Sequence, residues 1–140
     1  KKNIKIRIKN FKFLENFFKK YSNFIELPSQ NKNVKTGWLA FPLVLKERRG
    51  IKRKNLQIYL EQNGIQTRAI FTGNILRQPM MKNQYFKKHK LASSVSDDVM
   101  KNGILIGCHH GLKLKELKYM CDTFEKYLTE KKLINTRSVK

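Results

Sequence analysis

The cysteines and histidines around position 110 are the first residues that could do chemistry. Cys108, His109 and His110 are consecutive, and Cys121 and His89 lie elsewhere, so the residue types of a zinc site are present. Their spacing argues against such a site, because neighbours on a strand point to opposite faces and Cys121 falls on the apolar stripe of a predicted helix. A Cys–His nucleophile pair needs the thiol and the imidazole to converge, which adjacency in sequence does not provide. The sequence favours a small buried Cys108 at a strand end, and it predicts no metal site and no catalytic residue.

A second group of polar residues, within positions 67–79, has the chemistry to bind a phosphate or a polyol. Arg68 leaves a predicted strand, Asn74 sits in a glycine-containing turn, and Arg77 and Gln78 follow as a pair. Guanidinium and amide groups at one end of a sheet could hold such a ligand. An ordinary turn with surface arginines fits the same residues. The glycine-rich phosphate loops GxGxxG and GxxxxGK[ST] are absent, and the carboxylates are too scattered to nominate an acid/base pair.

The hydrophobic pattern predicts the elements that must position these side chains. Apolar residues recur at three- and four-residue steps in three segments, which predicts amphipathic helices near 7–21, 52–62 and 114–131. Apolar runs predict strands at 37–45, 65–71 and 104–108, and Pro42 implies a sheet edge or a bulge in the first of them. The economical architecture is an α+β sandwich with helices packed against a small sheet.

Two segments are harder to assign. Residues 75–92 have no clear period, which predicts a long loop. Ser96, followed by two aspartates, predicts the N-cap of a short helix that stops at Asn102.

The composition limits the possible functions. The 140 residues carry 31 Lys and Arg against 10 Asp and Glu, a net charge of +21, which suggests a nucleic-acid partner. The excess is spread along the chain, which favours a solvated lysine-rich surface, with a small basic nucleic-acid-binding module as the alternative. The longest charge-free apolar run, Trp38 to Leu45, is far shorter than the roughly 20 residues of a membrane span. These features, with two cysteines and no secretory signal, predict a cytoplasmic domain without a membrane partner.

Long stretches of the sequence resemble one family. They are NFKFLENFFKKYSNFIELP, GWLAFPLVL, GIQTRAIFTGNILRQPMMK and SDDVMKNGILIGCHHGLKLKELKYMCDTFEKYL. They resemble the C-terminal small domain of the DegT/DnrJ/EryC1/StrS family of nucleotide-sugar aminotransferases. The TR..F.GN..RQP block is most similar to the branch of CDP-4-keto-6-deoxyglucose 3-dehydratases of lipopolysaccharide O-antigen biosynthesis.

The resemblance implies a fold and a division into parts. The fold is the small α+β domain of a fold-type I pyridoxal-phosphate (PLP) enzyme, a short sheet packed against helices. Residues 1–35 would be the helix and connector from a missing large domain, residues 36–132 the small domain, and residues 133–140 a flexible tail. PLP or pyridoxamine phosphate (PMP), and any iron–sulfur cluster, would be held by the missing domain. The chain itself would bind no cofactor and be inactive alone.

The resemblance also implies partners and a substrate site. The partners would be a nucleotide sugar, a separately encoded or lost large domain and, in the complete enzyme, a second copy. The residues matching the segment that closes over the sugar nucleotide, or the strand end facing the interdomain cleft, are Arg68, Asn74, Arg77, Gln78, His109 and His110. Dehydratases usually carry Tyr-Pro at the positions of His109 and His110. Two histidines at these positions are typical of aminotransferase branches. Both reactions therefore stay open.

Overall fold

The computed structural model describes residues 1–85 and 90–134, an alternation of helices and strands. His89, part of the predicted loop and most of the predicted tail lie outside the described residues. The helices are α1 (Lys2–Lys19), α2 (Arg53–Gln62), α3 (Lys90–Asn102) and α4 (Leu114–Glu130). The strands are β1 (Ile25–Glu26), β2 (Ala40–Leu45), β3 (Thr67–Ala69) and β4 (Gly103–Gly107).

The four strands form one antiparallel sheet in the order β1-β2-β4-β3. Phe41 is opposite Ile106 and Leu43 opposite Ile104, so these four side chains share a face of the sheet. All four are buried, whereas the alternate residues of β2 are only half-buried. The alternation follows from the two-residue period of a strand. The predicted α+β architecture, a short sheet packed against helices, is confirmed.

Pro42 lies in β2, which has neighbours on both sides in the strand order. The neighbour β1 pairs only with Val44 and Leu45. On the side of Pro42 away from β4, no strand among the described residues pairs with the backbone of Pro42. A missing N–H is tolerated there, which is why a proline can occupy an interior strand.

The core joins α1 and α4 to the inner face of the sheet. The Phe18 ring lies 5.5 Å from that of Phe41 and 5.0 Å from that of Phe124, and Phe11 stacks on Trp38 at 3.8 Å. Burying one such side chain contributes about 1.5–3 kcal/mol. The helix that the sequence assigns to a preceding domain therefore packs within this core.

Helix α1 begins at Lys2, five residues before the predicted start at Arg7. The segment alternates lysine or asparagine with isoleucine, a two-residue pattern that hides a helix. It contains no glycine or proline, and lysine is a good helix former, so nothing stops the helix from extending toward the N-terminus.

Helix α3 also begins earlier than predicted, at Lys90 rather than after Ser96. The N-cap prediction at Ser96 is therefore wrong. Asp98 accepts a hydrogen bond from Asn102 Nδ2 at 2.7 Å, and Asp97 bonds side chains of a preceding turn. Asp98 therefore has its partner within the helix and Asp97 has partners outside it, and neither caps the N-terminus of α3. Among the described residues, no helix is long and apolar enough to cross a bilayer.

Candidate functional site

The predicted site residues are divided between the two ends of β4. His109 and His110 follow β4 directly, at its C-terminal end. Since β3 runs antiparallel to β4 with Ala69 opposite Ile104, the turn at 72–78 lies toward the other end. Five residues of strand span about 17 Å. The sequence grouped Arg68 with Asn74, Arg77 and Gln78, whereas the structure separates Arg68 from the other three and places it with His109.

A cavity of about 410 Å³ lies at the first of these ends and brings Arg68 and His109 together. Arg68 is opposite Leu105 in the sheet, and its Nη1 donates to the Thr67 carbonyl at 2.9 Å. Much of the remaining wall is apolar, from residues that include Ala40, Leu105, Ile106, Leu112 and Met120. A guanidinium and an imidazole beside apolar surface suit a ligand that carries both an anionic group and a ring. His110 is exposed and does not line the cavity.

His109 is oriented by two neighbours. Gly111 N–H donates to its Nδ1 at 3.2 Å, and Asn10 Nδ2 on α1 donates to its carbonyl at 2.9 Å. Because Nδ1 accepts a hydrogen bond, the neutral ring carries its proton on Nε2. His109 can therefore offer an N–H donor to a ligand.

Three further polar residues that the sequence did not nominate line the cavity, Gln66, Glu116 and Tyr119. Glu116 Oε2 accepts from the Lys113 N–H at 2.7 Å, and the Tyr119 hydroxyl donates to the Asn63 carbonyl at 3.0 Å. Glu116 and Tyr119 lie three residues apart, and hence on one side of α4. The three-residue spacing of Glu116 and Tyr119, shortly after the histidine pair, is the sequence signal that could have identified them.

The second cluster is held together by Asp97 of α3. Asn74 Nδ2 donates to its Oδ1 at 2.8 Å, while Arg77 donates from Nε to Oδ1 at 2.9 Å and from Nη2 to Oδ2 at 2.5 Å. Gln78 Nε2 donates to the Thr72 carbonyl at 2.9 Å. Hydrogen bonds from Arg77 and Asn74 lower the pKa of Asp97 to about 2. All three predicted binding side chains here bond within the chain, so an anion at Arg77 would compete with Asp97.

Both cysteines are buried, as predicted for Cys108. Burial raises the pKa of Cys108 to about 11 and that of Cys121 to about 12, so both are thiols at neutral pH. Among the residues that the structure describes, no three His, Cys, Asp or Glu side chains lie close enough to hold a metal ion.

Comparison with known proteins decides the family. The model of the DegT/DnrJ/EryC1/StrS aminotransferase family matches residues 1–125. The chain belongs to this family. It is 32% identical over 120 residues to the lipopolysaccharide biosynthesis protein RfbH of Salmonella typhimurium, covering 84% of this chain and 27% of RfbH. It is 28% identical to the GDP-4-keto-6-deoxy-D-mannose 3-dehydratase of Escherichia coli O55:H7, covering 84% of this chain and 29% of that enzyme.

Solved structures agree with the sequence relatives. A GDP-4-keto-6-deoxymannose 3-dehydratase carrying a PLP–glutamate geminal diamine superposes with a TM-score of 0.69 at 27% identity, over 86% of this chain and 31% of that one. An aminotransferase from Psychrobacter cryohalolentis reaches a TM-score of 0.78 at 10% identity, over 92% of this chain and 35% of that one, which shows the shared fold. The chain thus spans about a third or less of these relatives. The resemblance to the DegT/DnrJ/EryC1/StrS family is confirmed.

The described residues do not fit PLP by themselves. A Schiff-base lysine needs a desolvated pocket, whereas every lysine whose exposure the structure describes, apart from the half-buried Lys46, is exposed, and none of these lysines lines the Arg68–His109 cavity. Lys46 Nζ donates to the Ser22 carbonyl. The cation in the cavity is the guanidinium of Arg68, and an arginine does not form the Schiff base that a lysine makes with the PLP aldehyde.

Proposed function

We propose that this chain is the C-terminal small domain of a PLP- or PMP-dependent enzyme that modifies nucleotide sugars in lipopolysaccharide biosynthesis. Its role is to bind the nucleotide sugar, while the cofactor and any iron–sulfur cluster belong to a large domain that is not among these 140 residues. The observation that carries this proposal is the family match over residues 1–125, together with a cavity that pairs Arg68 with His109. A homodimeric complete enzyme in the cytoplasm stays a prediction.

In this proposal the two clusters have different tasks. Arg68 pairs with a phosphate oxygen, because a guanidinium offers parallel N–H donors to such a group, and His109 donates from Nε2 to a ligand oxygen. Asn74 and Arg77 hold the 72–81 segment against α3 through Asp97, and Gln78 links the two ends of the 72–78 turn through the Thr72 carbonyl. That segment reaches a ligand when an anion exchanges with Asp97 at Arg77. His110 is exposed and does not line the cavity, and its role in binding stays a prediction.

Binding can be tested on the chain itself. GDP-, CDP- and UDP-sugars are titrated by calorimetry into the wild-type chain, Arg68→Gln and, as a matched control, Arg49→Gln. Arg49 is exposed and does not line the cavity, so its substitution removes the same charge elsewhere. Losing a charge-assisted hydrogen bond costs about 1.5–3 kcal/mol, so Arg68→Gln should weaken binding at least tenfold and Arg49→Gln little. Equal losses in both variants would reject the cavity as the site.

Activity is tested with the chain and a large domain together. The chain is mixed with a relative's large domain that lacks its own small domain, and PLP absorbance and turnover of the nucleotide sugar are followed. Restored turnover supports the proposal, and the product separates the two reactions, since a transaminase leaves an amino sugar and a 3-dehydratase a 3-deoxy sugar. Restored PLP binding without turnover, when the relative's own small domain gives turnover, would argue against a catalytic partnership.

The lysines of α1 favour a second candidate function, polyanion binding. Four exposed lysines recur at steps of three and four residues along α1, namely Lys2, Lys5, Lys9 and Lys12. This spacing places them on one face of the helix. Within the described part of the chain none of them forms an ion pair. Four phosphate contacts predict a slope of about −3 to −4 for log K against log salt on double-stranded DNA. No DNA or RNA binding at low salt would exclude this function.

A further inference from the structure

A second cavity, of about 390 Å³, lies between α1 and the segment that leads into β2. Its wall includes the rings of Phe11 and Trp38, and Lys12 on α1 and Lys35 before β2 also line it. Phe11 is buried, whereas both lysines are exposed. The cavity therefore has a buried aromatic floor and an exposed charged rim, so a solute can enter it directly from solvent. It shares no lining residue with the Arg68–His109 cavity.

Trp38 adopts a strained backbone conformation in the wall of this cavity. Its φ is +31°, in a left-handed region that a bulky residue rarely adopts. Its ring stacks on Phe11, with the centroids 3.8 Å apart and the planes 12° apart, and its carbonyl accepts a hydrogen bond from Cys108 Sγ at 3.6 Å. Trp38 is still only half-buried, so part of the indole that Phe11 does not cover is accessible. Backbone strain of this kind is concentrated at functional sites such as ligand clamps, and here it fixes an aromatic surface beside the cavity.

Lys12 and Lys35 give the rim a positive charge that no carboxylate of the chain balances. All ten Asp and Glu residues fall within the described ranges, and none of them forms an ion pair with either lysine. Glu15, which also lines the cavity, lies 3.9 Å from Lys19. Two cations at the mouth of a cleft attract an anion from solution, and lysine ammonium groups are common ligands of phosphate oxygens.

We propose that this cavity binds a nucleoside phosphate, with the base against the accessible part of the Trp38 indole and the phosphate between Lys12 and Lys35. Nucleobases stack on aromatic side chains, and this contact stabilises binding without requiring a particular base. A sugar phosphate would leave the indole without a contact, and an uncharged ring would leave the two lysines without one. The Glu15 carboxylate adds an acceptor for a ribose hydroxyl. The proposal does not depend on the proposed function, since it concerns a separate cavity.

Binding at this site can be measured directly, because Trp38 is the single tryptophan of the chain. Adenosine monophosphate (AMP) is titrated into the wild-type chain while the tryptophan fluorescence is followed, since a base stacked on the indole quenches its emission. AMP should quench in a saturable way, and ribose phosphate, which has no base, should not quench. Adenosine should bind about tenfold or more weakly than AMP, because it lacks the charge-assisted contacts to the lysines.

Two matched pairs of variants locate the phosphate. Lys12→Gln and Lys35→Gln should each weaken AMP binding about tenfold. Lys9→Gln on α1 and Lys32→Gln before β2 remove the same charge from exposed residues that do not line the cavity, and each should change the affinity by less than about twofold because solvent and salt screen distant charges. All four positions are exposed, so the variants keep the fold. Arg68→Gln should leave the quenching unchanged.

Four outcomes would overturn the proposal. One is that AMP gives no saturable quenching. A second is that adenosine binds as tightly as AMP, because the lysines would then hold no phosphate. A third is that Lys9→Gln and Lys32→Gln weaken binding as much as Lys12→Gln and Lys35→Gln do, because the effect would then be general attraction of anions to a basic surface. The fourth is that Arg68→Gln abolishes the quenching, which would assign AMP to the Arg68–His109 cavity.

Discussion

At the scale of single residues, Asp97 shows how one carboxylate can organise a predicted binding segment. It accepts hydrogen bonds from Asn74 and Arg77, two residues that the sequence nominated for ligand binding. Those nominations depended on residue type and on the family resemblance, and the sequence predicts Asp97 in the first turn of a helix that Ser96 caps. Pairing across 20 positions of sequence is decided by tertiary packing, which no local pattern encodes. The substrate-binding role of these residues stays a prediction.

The Asp97 contacts predict a specific sensitivity to acid. Its pKa falls from an ordinary value of 3.8 to about 2 on folding, chiefly through the Arg77 hydrogen bond. A carboxyl with a depressed folded-state pKa stabilises the fold above about pH 4, and this contribution is lost as the pH falls toward 2. Denaturant midpoints of the wild-type chain and Asp97→Asn should therefore differ at pH 7 and converge near pH 2.

The control for this prediction is Asp122→Asn, at an exposed acid on α4 without an ion pair in the described part of the chain. It should leave the pH profile almost unchanged. A difference between wild type and Asp97→Asn that persists undiminished at pH 2 would show that Asp97 acts through packing and not through its charge.

At the scale of elements, periodic segments were predictable and short or unpatterned ones were not. The stripe of α4 predicted a helix from 114 to about 131, and the observed helix is Leu114–Glu130. The two-residue β1 has no signal of its own, since its pairing with Val44 and Leu45 creates it. The predicted strand at 65–71 shortens to Thr67–Ala69, because only those residues find partners on β4.

The contact between the 72–81 segment and α3 predicts contrasting effects for two glycines. Gly73 and Gly64 both have positive φ, +68° and +73°, so alanine at either costs about 1–2 kcal/mol of backbone strain. At Gly73 the new Cβ would also lie 2.3 Å from Met100 Cβ, whereas at Gly64 it would meet nothing within 4 Å. Overpacking adds about 1–3 kcal/mol, so Gly73→Ala should destabilise clearly more than Gly64→Ala in urea unfolding. Equal losses would mean that the segment moves away from α3 at little cost.

At the scale of the whole molecule, the family was readable from sequence because the matching motifs extend along the chain. The arrangement of the site was not readable, because the positions of Arg68, Arg77 and His109 depend on which way β3 runs beside β4. Only the register, with Ala69 opposite Ile104, separates the 72–78 turn from the histidines. The division between residues 1–35 and 36–132 stays a prediction. The packing of α1 into the same core as the sheet bears directly on it.

That packing predicts that residues 28–140 do not fold without the segment before them. Residues 1–27 bury five large side chains against β2 and α4, namely Phe11, Leu14, Phe18, Tyr21 and Ile25. At about 1.5–3 kcal/mol each, their loss is comparable to the whole stability of a typical domain, about 5–15 kcal/mol. Residues 28–140 alone should therefore show no cooperative thermal transition by circular dichroism.

Adding a peptide of residues 1–27 should restore a cooperative transition. The same peptide with Lys9→Ala should restore the transition as well, since Lys9 is exposed. The peptide with Phe18→Ala should not restore it, because that substitution opens a cavity between Phe41 and Phe124. If residues 28–140 alone unfold cooperatively at the midpoint of the full chain, α1 is an appendage to the fold and not part of its core.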